Sequence, residues 1–352
     1  MTIASPGLAA LGCGTLASAL LLALMGWPIL PSYLFAWMVI AAVPLGALPM
    51  LMLLELMGGR WTGTGGVELR RAVRVLPLVA VLFLPVMIFQ PRIYPWAGSG
   101  LAAGHASEIG YLSASGFTMR SLLYFGLWLA LAHVFGKQRA TNRTGLAAGG
   151  LVLHTLLVTF AAIDWTMSLE PDWRSSGYGL MVMHMQVTAA LAFACWRGTR
   201  NASPVGARLD LGTMLFAAVI VWAYLAFMHF LVIWSADLPE EIVWYIRRGD
   251  AGWQAVVWLV VTAHFIVPFF VLISRQMKAK PGVVSAMGGL VLVAGVLDFA
   301  WLILPAFRRD GFSLSIQDPL VLVGLVGLAL WAYGGTRDRA AGHAAVGGSR
   351  HV

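Results

Sequence analysis

Residues 32–58, SYLFAWMVIAAVPLGALPMLMLLELMG, run for 27 positions with a single charged side chain, Glu55. A helix rises about 1.5 Å per residue, so this stretch exceeds the roughly 20 residues that cross the hydrocarbon core of a bilayer. Runs of the same kind recur at 7–27, 73–91, 115–136, 145–168, 177–196, 211–235, 252–274, 282–306 and 318–334. Together they predict ten membrane-spanning helices. The connections are short and marked by Gly, Pro and charge, as in Gly26-Trp27-Pro28, Gly58-Gly59-Arg60 and Lys280-Pro281-Gly282. The expected fold is an all-α polytopic membrane protein, one domain over 1–335, with a short disordered cytoplasmic tail at 336–352.

Composition points the same way. Only 11% of the residues are charged, against about 25% in an ordinary soluble domain, too few to clothe 352 residues in a polar shell. The formal charge of +8 does not indicate nucleic acid, because the basic residues sit in short connections where they act as topology signals. Sixteen of the 23 Lys and Arg fall on one set of connections: Arg60, Arg70, Arg71, Arg74, Lys137, Arg139, Arg143, Arg197, Arg200, Arg208, Arg275, Lys278, Lys280, Arg337, Arg339 and Arg350. Arg92, Arg120, Arg174, Arg247, Arg248, Arg308 and Arg309 occupy the alternate set. The positive-inside rule then predicts that both termini are cytoplasmic. The opposite side is acidic (Glu170, Asp172, Asp237, Glu240, Glu241, Asp250) and carries Tyr94, Trp96, Trp165, Trp173, Trp234, Trp244 and Tyr245. Those aromatics read first as a membrane-interface belt, and alternatively as a docking surface for a partner outside the membrane.

Several chemistries are excluded. Cys13 and Cys195 both lie in apolar runs, with no CxxC or CxxCH, so neither a cluster held by cysteine alone nor an attached c-type haem is expected. No phosphate loop, catalytic triad or metal-type spacing is present. The N-terminus lacks a basic n-region, so no cleavable signal is expected.

What remains is a set of ionisable side chains inside apolar runs, each costly in lipid and therefore a candidate for function. By helix rise, Asp164, His184, His229 and Asp298 fall in the outer third, His264 near the middle, His154 in the middle to inner part, and Glu55 and His133 near the cytoplasmic ends. Groups at most depths are what a proton relay requires. The strongest candidates are Asp164, His229, His264 and Asp298, with a route from the two carboxylates through His229 to His264. The plainer alternatives are solvation for Glu55 and His133, and helix-to-helix hydrogen bonds for His154 and His184. For each Asp the alternative is a carboxylate held ionised by a Trp N–H, a backbone N–H or an Arg. A b-type haem between His154 and His184 has only their similar depth in its favour.

The loops carry longer signals. Ser32-Tyr33-Leu34-Phe35-Ala36 opens the second run, followed by Gly59-Arg60-Trp61 and Tyr94-Pro95-Trp96-Ala97. Then come Asp164-Trp165-Thr166-Met167-Ser168-Leu169-Glu170-Pro171, with Trp173 and Tyr178-Gly179, and Trp222-Ala223-Tyr224. Ile233-Trp234-Ser235, Leu238-Pro239-Glu240-Glu241 and Trp244-Tyr245 complete the series. In this order, over about residues 32–335, the chain resembles the ActF family of membrane subunits of bacterial alternative complex III, which belong with the NrfD-like, polysulfide-reductase type. The resemblance implies two four-helix bundles side by side with a flanking helix at each end. It implies an inner-membrane respiratory complex that oxidises quinol and passes electrons through iron–sulfur and multihaem cytochrome c subunits to cytochrome c or a terminal oxidase. The quinol, haem c and iron–sulfur clusters would belong to partners, among them a homologous NrfD-like subunit of ActC type, and this chain would supply structure and a proton path. Phe227-Met228-His229-Phe230 departs from the Ser-Gln that relatives place before the Phe, and Asp172 and Arg174 replace the usual His and Tyr around Trp173. Two other readings are a quinol-binding subunit in its own right, with His229 or His264 taking the quinol proton, and a secondary transporter. The transporter reading lacks paired broken helices in two matching halves.

Overall fold

A computed structural model describes residues 6–98, 111–137, 143–200, 203–249, 252–309, 311–313 and 315–348, the side chains of 336–348 excepted. Arg139, Asp250 and Arg350 lie outside the described residues, as do the side chains of Arg337 and Arg339. The described residues contain helices and no strand. Ten helical stretches are long and apolar enough to cross a membrane. They are α1 (Pro6–Leu24), α2 (Leu30–Met57), α3 (Thr62–Ile88), α4 (Ala114–Phe135), α5 (Thr144–Trp165, continued by a short turn to Leu169), α6 (Tyr178–Gly198), α7 (Val205–Ala236), α9 (Trp253–Leu272), α10 (Val283–Ile303) and α11 (Gln317–Gly348). The amphipathic α8 (Pro239–Gly249) lies between α7 and α9. Ten crossings return the chain to the side it started from. We call that side the terminal face and the other the far face.

The ends and breaks have local causes. Gly58 closes α2 at φ 66°, with its N–H on the Leu54 carbonyl, a backbone angle that glycine adopts without a Cβ clash. Ser113 caps α4 by accepting from the Gly116 N–H. Pro77 and Pro85 cut α3 into short helical pieces, because a proline has no N–H for the preceding turn. In α9 a π-helical turn spans Val261–Ile266 just before Pro268. Pro268 cannot donate to the carbonyl of His264, and the backbone widens there. The backbone of α11 runs on to Gly348, beyond the tail expected from 336. The Ala- and Arg-containing stretch 336–346 favours helix.

Packing divides the spans into two groups of four. α2, α3, α4 and α5 form the first bundle, and α6, α7, α9 and α10 the second. They meet along α2 and α6. Gly46 makes this approach possible: a Cβ there would stand 1.9 Å from the carbonyl oxygen of Gln186 on α6. Small residues of this kind let membrane helices touch backbone to backbone. α2 is buried over nearly all its length, as its all-round apolar sequence requires. The first and last helices do not stand at opposite ends of the molecule. α1 packs on α11 at Gly12, Gly324 and Gly327, and α11 packs on α2.

Most of the expected interface belt is core. Tyr94, Trp96, Trp165, Trp173 and Trp244 are buried, and only Trp234, 66% exposed, faces outward as a belt residue would. Hydropathy cannot separate an aromatic ring facing lipid from one packed between helices. Trp37, Phe83, Phe125, Trp128 and Trp165 fill the middle of the first bundle ring against ring.

Candidate functional site

The ionisable groups separate into ion pairs and a second-bundle cluster without a cationic partner. Asp164, at the far end of α5, is fully buried. Arg120 of α4 grips both of its oxygens, Nε to Oδ2 at 2.9 Å and Nη2 to Oδ1 at 2.8 Å, and the Tyr124 hydroxyl donates to Oδ2 at 2.8 Å. Arg120 is itself fixed by the Tyr111 carbonyl and ring. A bidentate guanidinium cancels the carboxylate charge and fixes its geometry. Asp164 therefore takes the ion-pair role, and it shares no bundle with Asp298. Glu55 is likewise paired, with Arg143 at 3.1 Å, which ties α2 to the start of α5 rather than leaving the carboxylate simply solvated. His154 is buried beside Trp128, with neither ring nitrogen partnered among the described residues. His133 is exposed.

The second bundle is different. Asp298 of α10 is 6% exposed and His264 of α9 is 2% exposed. The indole N–H of Trp222 on α7 donates to Asp298 Oδ2 at 2.7 Å. The imidazole of His264 stacks on the Trp222 ring, with centroids 4.5 Å apart and planes 9° apart. Its Nδ1 lies 3.9 Å from the same carboxylate oxygen. An indole supplies a hydrogen bond and no counter-charge, and among the described residues no Lys or Arg pairs with Asp298. The acid and the base are in contact without being hydrogen-bonded: neither ring nitrogen of His264 has a hydrogen-bond partner among the described residues. His264 sits in the π-helical turn of α9, a local distortion frequent at functional sites.

A cavity of about 680 Å³ adjoins Asp298. Asp298, Trp222 and His184 line it, with Tyr245, Arg248 and Gln254 toward the far face. The rest of its wall is apolar, and Phe227, Phe230 and Trp258, all exposed, stand at its α7 and α9 rim. His184 is held by the Ala218 carbonyl at 2.8 Å and the Thr188 hydroxyl at 3.2 Å from Nε2, the helix-to-helix bond that the sequence offered as its plainer role. His229 is not between Asp298 and His264. Its Nδ1 meets the Tyr245 hydroxyl at 2.6 Å within a box of Trp173, Trp244 and Tyr245. His264, by contrast, adjoins Asp298 directly.

A plug closes the far end of the bundle. Glu170 binds Arg247 at 2.8 Å and Arg248 at 2.6 Å. Arg248 also donates to the carbonyls of Trp244 and Leu302 and lies over the Trp244 ring. Burial lowers the Arg248 pKa, and Glu170 opposes that shift. Ser32 and Arg308 share Asp318 in the same manner, tying α2 to α11. Four far-face arginines, Arg120, Arg247, Arg248 and Arg308, are thus consumed by buried carboxylates.

Sequence reasoning offered an Arg or a Trp N–H as the plainer partner of each Asp, and both occur, but it did not identify which residues supply them. Trp222 was legible as a motif residue, but nothing in its spacing announces that it holds Asp298. The architecture defines a polytopic all-α membrane protein. Compared with protein-family models the chain matches none, and curated proteins likewise give no match.

Proposed function

We propose that this chain is an integral subunit of a bacterial inner-membrane respiratory complex that oxidises quinol, and that its second bundle exchanges protons with the far side of the membrane. The chain is not catalytic alone. It works beside a homologous NrfD-like subunit and beside iron–sulfur and multihaem cytochrome c subunits that carry the electrons. The basic residues of the terminal-face connections support cytoplasmic termini and a periplasmic far face. The order of the loop motifs supports the ActF-like assembly. The observation that carries the proton role is the buried Asp298–His264 contact, in which Asp298 has no Lys or Arg paired with it among the described residues and borders the cavity. Trp222 orients the carboxylate, His264 accepts its proton or returns it, and the π-helical turn sets His264 at that distance.

The cavity favours a second reading, in which this subunit binds quinol itself. An apolar chamber with a few converging polar groups is the usual form of a small-molecule site, and its α7–α9 rim is exposed where lipid would lie. A single preparation separates the readings. Affinity purification of the tagged chain in mild detergent is expected to bring down haem- and iron–sulfur-containing subunits with quinol oxidation activity. Ala226→Trp, which fills the cavity, should then leave turnover intact under the first reading and abolish it under the second. Recovery of the chain alone, with no redox subunit, would refute both.

A further inference from the structure

On the terminal face, far from the Asp298 cluster, a second cleft of about 510 Å³ opens between the α2–α3 connection, the first turns of α7 and the short helix Arg275–Ala279. Arg60, Trp61, Asp210, Thr213, Arg275 and Lys278 line it. Ser274 caps the short helix by accepting from the Met277 N–H, which fixes Arg275 and Lys278 beside α7. Lys278 does not snorkel into solvent as a topology lysine would. It is 8% exposed, with Nζ bonded to the Thr213 hydroxyl at 3.0 Å and set over the Phe216 ring at 5.6 Å. No acidic side chain among the described residues pairs with Lys278 or Arg275. The cleft's one carboxylate, Asp210, is taken by Arg60 through two contacts at 2.6 and 3.2 Å.

Three cations and one anion line one opening, and a covered ammonium keeps donors to spare. Burial lowers the Lys278 pKa, and Arg275 lowers it further. An anion in the cleft would relieve both effects. We propose that this cleft binds a phosphate group presented at the membrane surface, most simply the headgroup of an anionic phospholipid whose chains lie along α7 and α9. Basic pockets between helices at this level are a known form of headgroup site. Trp61, 5% exposed, forms the wall on the α2–α3 side. The inference is independent of the respiratory reading.

The test is native mass spectrometry of the purified full chain with three probes: phosphatidylglycerol, phosphatidylcholine of the same chain length, and inorganic phosphate. Phosphatidylglycerol is expected to bind at least about fivefold more tightly than phosphatidylcholine, since each basic residue near the surface contributes about fivefold. Removing two charges, K278Q with R275Q, should weaken phosphatidylglycerol binding roughly 25-fold. The far-face control R92Q with R174Q removes the same net charge and should leave binding unchanged. D210N frees Arg60 and should strengthen binding, which tests the sign even where the double variant fails to fold. Competition by inorganic phosphate at millimolar concentration would show that the cleft takes free phosphate, and its absence would show that it takes the lipid. Undiminished phosphatidylglycerol preference in K278Q/R275Q, equal loss in the far-face control, or weaker binding by D210N would overturn the proposal.

Discussion

Arg120→Gln should unfold the first bundle far more readily than its position near a helix end suggests. Asp164 is fully buried and takes two of its three side-chain hydrogen bonds from Arg120. With the guanidinium gone, one Tyr124 hydroxyl faces a carboxylate charge alone. Breaking a buried pair by removing one partner costs about 3–5 kcal/mol. The converse change, Asp164→Asn, leaves Arg120 with 20% of its side chain exposed and still held by the Tyr111 carbonyl and ring, so the loss should be smaller, about 1–3 kcal/mol. The double variant should recover at least about 1 kcal/mol relative to the sum of the two, the coupling expected of residues in direct contact. Equilibrium unfolding of the four proteins in mixed micelles of mild and denaturing detergent reads all three values. A loss below about 0.5 kcal/mol for Arg120→Gln, within the range of an exposed pair, would refute the reading of Asp164 as a structural anion.

Other consequences can be checked in the same preparations. Gly46→Ala places a Cβ 1.9 Å from the Gln186 carbonyl, so α2 and α6 must part, and a loss of at least about 1–3 kcal/mol is expected. Gly14→Ala meets nothing within 4 Å and should be silent by the same melting assay. Glu170→Gln strands Arg248, 2% exposed, and should cost about 3–5 kcal/mol, whereas Arg247→Gln, with 33% of that side chain exposed, should cost under about 1 kcal/mol. A cysteine introduced by E240C, on a background lacking Cys13 and Cys195, should react with an impermeant thiol reagent in intact cells. Labelling only in inverted vesicles would reverse the topology.

How much of this was readable in the sequence depends on the range of the interaction. The spans were, because about 20 apolar residues in a row have one stable placement in lipid. The run expected at 177–196 is observed at Tyr178–Gly198. Two starts were missed for a common reason. α7 begins at Val205 rather than near 211, and α3 at Thr62 rather than near 73. Their first turns carry Arg208 and Asp210, or Glu68, Arg70 and Arg71, which look like loop. In the fold Arg208 bonds the Ala279 carbonyl, Asp210 binds Arg60, and Glu68 binds Arg71 and the Tyr333 hydroxyl. The candidate titratable residues were visible as charges in lipid. Their roles were not, because role depends on which helix stands opposite. Asp164 and Asp298 look alike in sequence and by depth. Only packing shows that one faces an arginine on α4 and the other an indole on α7.

The central claim is that Asp298, with His264, handles protons while Asp164 does not. Proton release per electron, measured during quinol oxidation by the purified complex reconstituted in vesicles, tests it most directly. The account predicts that the D298N complex assembles, oxidises quinol, and releases fewer protons per electron than the unaltered complex. An assembled D298N complex with undiminished turnover and undiminished proton release would contradict it.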